Sequence, residues 1–300
     1  MIVAARRSRC RLGNRLELFT HLLAFSLRTG IPVAVPAFEA WAPYFTGTKR
    51  NPFCQAPRPR RPVPIPASLA RFLAWLATVT PGLAPLLGGG YLDCPNDQAK
   101  NLADHELEAK ARQHRFLFIR SGWQYRDWQG LAEYLPSIRD FFSWTPPLAE
   151  ASRILAHSAR GDAEQLIGVH IRRTDFAGHL EGRYYFSVER YRDWMKALVE
   201  AEAPRRLAFL ICSDEAVSAL DFQGLQVSLA KGSPIEDLAA LSSCDAIMGP
   251  AISSFSGWAA LQGNRPFLPL EADLQSPRLE DFQPSPLLGG GRAAGRRPES

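Results

Sequence analysis

Residues 1–35 read MIVAARRSRCRLGNRLELFTHLLAFSLRTGIPVAV, and this stretch decides the fold class. Residues 1–5 form a short apolar run that fits a buried strand. In residues 11–30, Leu16, Phe19, Leu22, Leu23, Ser26 and Leu27 recur at helical spacing, and Gly30 stops the helix. Residues 31–35 fit a second strand. Strand, glycine-containing turn, helix and strand make a βαβ unit, which implies a parallel sheet.

The same alternation continues downstream. The proline-rich residues 51–66 read as a loop, residues 67–80 as a helix, and Gly88-Gly89-Gly90 as a turn. Residues 115–119 fit a strand, followed by the aromatic-rich segment 121–142. The second half is cleaner. Strands are expected at 166–171, 207–212, 225–228 and 245–248. Helices are expected at 187–201, at 234–243 with Ser233 as N-cap, and from 254 to 262. The order predicts two doubly wound α/β domains facing a cleft. Residues 1–150 form the first and 151–283 the second. Residues 284–300, rich in Pro, Gly and Arg, are expected to be a disordered tail.

Composition fits this reading. Apolar residues make up 46% and charged residues 22%, as in a globular protein with a core. The net charge is +5. Much of the excess lies in Arg58-Pro59-Arg60-Arg61 and in Arg292, Arg296 and Arg297, which read as solvated. No helix-turn-helix, zinc-finger or RNA-binding signature accompanies it, so no nucleic-acid partner is expected. Cys10, Cys54, Cys94, Cys212 and Cys244 are odd in number and unpaired in spacing, which argues against disulfides and zinc. The basic start and the lack of a long apolar run predict a cytoplasmic protein without a signal peptide or membrane span. The apolar segment 69–87 is broken by Arg71 and Pro81, leaving peripheral contact with the inner face of a membrane through Phe72 and Trp75 as an open option.

In open parallel sheets, ligands sit outside the carboxyl ends of the strands. After the first strand come Gly13 and Asn14. His170, Arg172, Arg173 and Asp175 mark the end of strand 166–171. Asp214 follows 207–212, and Ser253, Ser254, Phe255 and Ser256 follow 245–248. Arginine forks match phosphate oxygens, and serines opening a helix add donors beside its free N–H groups. The set suits a phosphorylated ligand. There is no phosphate-loop lysine, no G-x-G-x-x-G after a strand, and no D-x-D at a strand end.

His170-Ile171-Arg172-Arg173-Thr174-Asp175 resembles the H-x-R-R-x-D motif of α-1,2-, α-1,6- and protein O-fucosyltransferases. Leu12-Gly13-Asn14 is similar to the amino-terminal turn of the α-1,2 family, glycosyltransferase family 11. Ile211 to Glu215, the region from Asp237 to Ala260, and the segment from Gly122 to Phe142 resemble its other stretches in order. Gly257 and Glu215 depart from it, standing where the family has a tryptophan and an aspartate.

The resemblance implies a GT-B fold and an inverting, metal-independent transfer of fucose from GDP-fucose to a glycan hydroxyl, with no resident cofactor or metal. It implies that Arg173, or else Arg172, neutralises the β-phosphate, the roles exchanging if one pairs with Asp175. Ser254 and Ser256, within the stretch 253–256, contact the pyrophosphate. Asp214 or Asp237 binds the guanine or ribose side, and His170 positions the sugar or phosphate. Gly13 and Asn14 complete the donor set, while Trp123 and Tyr125 are candidates for stacking on the acceptor. Transfer of another nucleotide sugar, or a catalytically weak nucleotide-sugar-binding scaffold, are the alternative readings.

Overall fold

A computed structural model describes residues 1–5, 11–51, 53–57, 66–80, 82–94 and 99–288. Among these, residues 1–145 form one compact unit and residues 146–288 another. The division falls between Thr145 and Pro146, a few residues before the expected boundary.

The first unit contains β1 (Ile2–Val3), α1 (Leu12–Thr29), β2 (Val33–Ala34), β3 (Gln55–Ala56), α2 (Ala67–Val79), α3 (Leu83–Leu86), β4 (Gly89–Leu92), β5 (Lys100–Asn101), α4 (His105–Gln113), β6 (Phe116–Ile119), β7 (Tyr125–Arg126) and α5 (Trp128–Phe141). Its main sheet has the order β3-β2-β1-β6-β4. β1 pairs in parallel with both β2 and β6, as the βαβ reading requires. α1 buries Leu16, Phe19, Leu22 and Leu23, and ends at Gly30, whose φ of 72° is the left-handed conformation that favours glycine.

Three local expectations are corrected here. Gly13 and Asn14 are not a turn; they lie in the first turn of α1. Gly89 and Gly90 are not a turn either, but open β4 beside β6. The expected loop 51–66 holds a two-residue antiparallel edge strand, β3, beside β2; its residues 52 and 58–65, including the Arg58 to Arg61 run, lie outside the described residues. α5 is kinked at Tyr134 (φ −108°, ψ 18°), two residues before Pro136. A proline ring inside a helix clashes with the preceding turn and removes a donor.

The second unit contains α6 (Pro146–Arg160), β8 (Gln165–Ile171), α7 (Val188–Ala201), β9 (Leu207–Ser213), β10 (Val227–Leu229), α8 (Pro234–Ser242), β11 (Ala246–Pro250), α9 (Ser254–Gly263) and β12 (Phe267–Leu270). The sheet order is β10-β9-β8-β11-β12, with every pair parallel. β8 alternates its burial partners with period two. Ile167, Val169 and Ile171 pack in one cluster with Tyr191, Trp194 and Leu198 of α7. Leu166 packs in another with Ala156 and Ala159 of α6. Helices thus cover both faces, and the unit is Rossmann-like. The chain lays β9 and β10 on one side of β8, then crosses to β11 and β12 on the other. The point of reversal lies between β8 and β11.

The tail expectation fails for residues 284–288. Ser285 Oγ donates to Gly257 O at 2.6 Å, and Leu287 is 1% exposed. Residues 289–300 lie outside the described residues. Cys54, Cys94, Cys212 and Cys244 are buried free thiols, while Cys10 is outside the described set.

Candidate functional site

The carboxyl ends of β8 and β11 meet at the reversal of strand order, the place where open parallel sheets leave a ligand crevice. His170 is buried near the end of β8. Its Nδ1 lies 3.2 Å from Ser253 Oγ, and its ring centroid is 4.8 Å from that of Phe255. Burial, with the Arg172 charge adding to it, pushes His170 down to about 3, so the ring is neutral at physiological pH. It serves as a neutral hydrogen-bonding group and not as a cation.

Ser253 caps α9, its Oγ accepting from Ser256 N at 3.5 Å. Ser254, Phe255 and Ser256 are all buried in the first turn. Ser256 Oγ is buried with no hydrogen-bond partner. Leaving such a group unmatched costs about 1–3 kcal/mol, so its position at a helix N-terminus calls for an explanation. Gly249 in β11 gives this turn its room. A Cβ there would come within 2.8 Å of Ser256 Oγ and 3.2 Å of His170 Cβ.

The two arginines diverge. Arg172 donates from Nε and Nη2 to Asp175 at 3.0 and 2.7 Å, and its guanidinium stands 4.9 Å from the Phe176 ring centroid. Arg173 has Nε 2.7 Å from Glu215 Oε1, donates from Nη2 to Tyr185 Oη at 2.7 Å, and sits 4.8 Å over the Tyr185 ring. Thus Arg172 takes Asp175, while Arg173 faces Glu215. Tyr185 and Thr174 are partners that sequence reasoning missed. No local signal marks them, because each contact joins residues brought together by the turn.

Asp214 holds that turn. Its Oδ1 accepts from Arg173 N at 2.8 Å and its Oδ2 from Thr174 Oγ1 at 2.5 Å. Burial raises its pKa, but these hydrogen bonds outweigh burial and leave it below the ordinary aspartate value. Asp237 differs. It lies in the first turn of α8, where its backbone O accepts from Cys212 Sγ of β9 at 3.7 Å. Its Oδ1 is buried without a hydrogen-bond partner. Burial, then the neighbouring Glu236, pushes it up to about 6 against a Gly232 backbone hydrogen bond. Of the two acids expected on the nucleoside side, Asp214 is engaged in the fold and Asp237 has an oxygen to offer.

Of the first-unit candidates, Gly13 and Asn14 stand beyond β1 at the start of α1. Tyr125 is fully buried and donates to Ser121 O at 3.2 Å, so its ring is core and not a stacking surface. Trp123 is half-buried, with the Arg126 guanidinium 4.9 Å from its centroid. Among the described residues, no group of three or more His, Cys, Asp or Glu side chains could hold a metal ion. None of the described helices is long and apolar enough to cross a membrane.

Glycosyl transferase family 11 matches residues 133–267, a span that contains every second-unit candidate named above. No curated protein matches the chain. Solved structures do. A mutant FUT1 of Arabidopsis thaliana in complex with GDP is 14% identical with a TM-score of 0.56, over 90% of this chain and 71% of that one. The fucosyltransferase NodZ from Bradyrhizobium is 16% identical with a TM-score of 0.51, over 92% of this chain and 99% of that one. POFUT1 in complex with GDP-fucose is 11% identical with a TM-score of 0.52, over 92% and 96%. The fold is therefore of the GT-B type that these proteins share.

Proposed function

We propose that this glycosyltransferase, similar to fucosyltransferases in its family 11 segment and in fold, transfers fucose from GDP-fucose to a glycan hydroxyl, with inversion and without a metal. The acceptor oxygen forms a bond to the anomeric carbon while that carbon's bond to the β-phosphate oxygen breaks. GDP leaves with the electron pair, and the acceptor's proton passes to solvent or to a base.

The observation that carries this reading is the pair of guanidinium groups held at the carboxyl end of β8, next to the α9 N-terminus and the unmatched Ser256 hydroxyl. Fixed positive charge and aligned donors stabilise a leaving diphosphate as its charge develops. In this arrangement Arg173 or Arg172 faces the β-phosphate, Ser254 and Ser256 the pyrophosphate, and Asp237 the guanine or ribose. His170 acts as a neutral orienting group beside Ser253. The first unit is then the acceptor side. A cytoplasmic setting fits the four buried free thiols.

The test is calorimetric titration of wild type and Arg173→Ala with GDP, with and without a chelator. Binding that survives the chelator and weakens at least about tenfold in the variant is expected, since a charge-assisted hydrogen bond contributes about 1.5–3 kcal/mol. Well-folded wild type that binds no GDP sinks the reading.

A further inference from the structure

α2 is turned inside out relative to an ordinary surface helix. Its inward side is built from small residues: Ala74 and Ala77 pack with Val3 of β1, Phe118 of β6 and Ala84 of α3. Its large apolar side chains point the other way. Leu69, Phe72, Leu73, Trp75 and Val79 are exposed, Phe72 by 53%, and the Phe72 and Trp75 ring centroids lie 5.9 Å apart. Their spacing, mostly three or four residues, puts them on one face of the helix. α3 repeats the pattern, with Ala84 buried, Leu86 84% exposed and Leu87, just beyond it, exposed as well. Among the described residues twelve large apolar side chains are exposed, and seven of them belong to this one stretch. Single exposed apolar residues are normal, but a contiguous face of them marks an interaction surface.

The face is held outward. Tyr91 Oη of β4 donates to Thr80 O at 2.8 Å and accepts from Ala84 N at 3.3 Å, tying the end of α2 and the start of α3 to the sheet. Turning the large side chains inward would break these bonds and press them into a space filled by alanines.

The charge around this face has one sign. Residues 40–92 contain Lys49, Arg50, Arg58, Arg60, Arg61 and Arg71 and no Asp or Glu. Arg71 Nε lies 2.6 Å from Glu39 Oε2. With Glu39 counted against Arg71, the stretch still carries an excess of +5, equal to the net charge of the whole chain. A second copy of the chain would bring the same positive stretch against it, and like charges across an interface repel. An apolar helix face rich in Leu, Phe and Trp within a basic segment suits the boundary between anionic headgroups and acyl chains. That boundary is fluid, so the face needs no polar side chain to fix a register.

We infer that the outward face of α2 and α3 docks on a lipid surface carrying anionic headgroups. The docking lies within the first unit and is independent of the donor reading.

The experiment is co-sedimentation of the full chain with vesicles of phosphatidylcholine alone or of equimolar phosphatidylcholine and phosphatidylglycerol. Binding to the anionic vesicles is expected, weakening as ionic strength rises, with far weaker binding to phosphatidylcholine alone. The double variant Phe72→Ser, Trp75→Ser should bind at least about tenfold more weakly with an unchanged melting temperature, because both side chains already stand in water. Brominated acyl chains should quench tryptophan fluorescence in wild type and less so in Trp75→Phe, which keeps its binding. Folded wild type that ignores anionic vesicles overturns the inference, as does binding indifferent to the double substitution or equal on both vesicle types. A wild-type dimer that the double substitution dissociates, without vesicle binding, overturns it in favour of a second copy on this face.

Discussion

Asp214 Oδ1 accepts the backbone N–H of Arg173 at 2.8 Å, across 41 residues of sequence. The end of β9 thereby fixes the direction in which the end of β8 turns. Asp214→Ala removes this acceptor and the one for Thr174 Oγ1. It should cost about 1–3 kcal/mol of stability and, by loosening the turn that carries Arg173, weaken GDP binding. Its folded-state pKa is depressed, so its contribution is present above the ordinary aspartate value and is lost as pH falls through the lower folded value. Thermal unfolding at pH 7 and near pH 3 checks this. A variant as stable as wild type at pH 7 contradicts it.

In the proposed donor site Glu215 would compete with a phosphate for Arg173, because its Oε1 lies 2.7 Å from Nε. Glu215→Gln should therefore tighten GDP binding severalfold at low salt, an effect that fades as ionic strength rises. Weakening comparable to Arg173→Ala would instead make Glu215 the residue that aims the guanidinium.

Asp237 should give GDP binding a pH dependence. Its pKa is pushed up to about 6, mainly by burial, so the carboxylate proposed to accept from a base or ribose hydroxyl forms as pH rises through that value. Affinity should rise between pH 5 and 7, and Asp237→Asn should flatten the profile while lowering affinity at pH 7.5. Stability runs the other way. A raised folded pKa favours the fold below the unfolded pKa, and that advantage is lost as pH rises through about 6. With allowance for partial solvent exposure, Asp237→Asn should stabilise the apo protein by roughly 1 kcal/mol at pH 7.5. A pH-independent affinity in wild type removes Asp237 from the donor site.

Gly249→Ala places a methyl group against Ser256 Oγ and His170 Cβ. Overpacking of this kind costs about 1–3 kcal/mol, and here it displaces the first turn of α9. Reduced melting temperature together with weaker GDP binding is expected. Normal GDP affinity in this variant would place the ligand away from α9.

The fold was legible where apolar spacing is strong. α1, β8 and β9 follow from their periodicity, and the cap residues Ser233 and Ser253 mark the starts of α8 and α9. α6 escaped because its inward stripe includes Ser152, Ala156 and Ala159, small residues that give little hydrophobic contrast. β4 escaped because Gly89 and Gly90 read as a turn, yet β6 pairs with them. The site was legible as a set of residue types at strand ends. The division of labour within it was not. Arg172 with Asp175 is a local pair, whereas Arg173 with Glu215 and Asp214 with Thr174 depend on two strands lying side by side.

The Ser285–Gly257 hydrogen bond ties the last described turn of the chain to the middle of α9. Late residues thus act as a clasp on the helix whose opening serines line the candidate donor site. A protease nick ahead of Ser285 would release that clasp without touching any donor residue, and the second unit's ligand affinity would then report on the integrity of its far end.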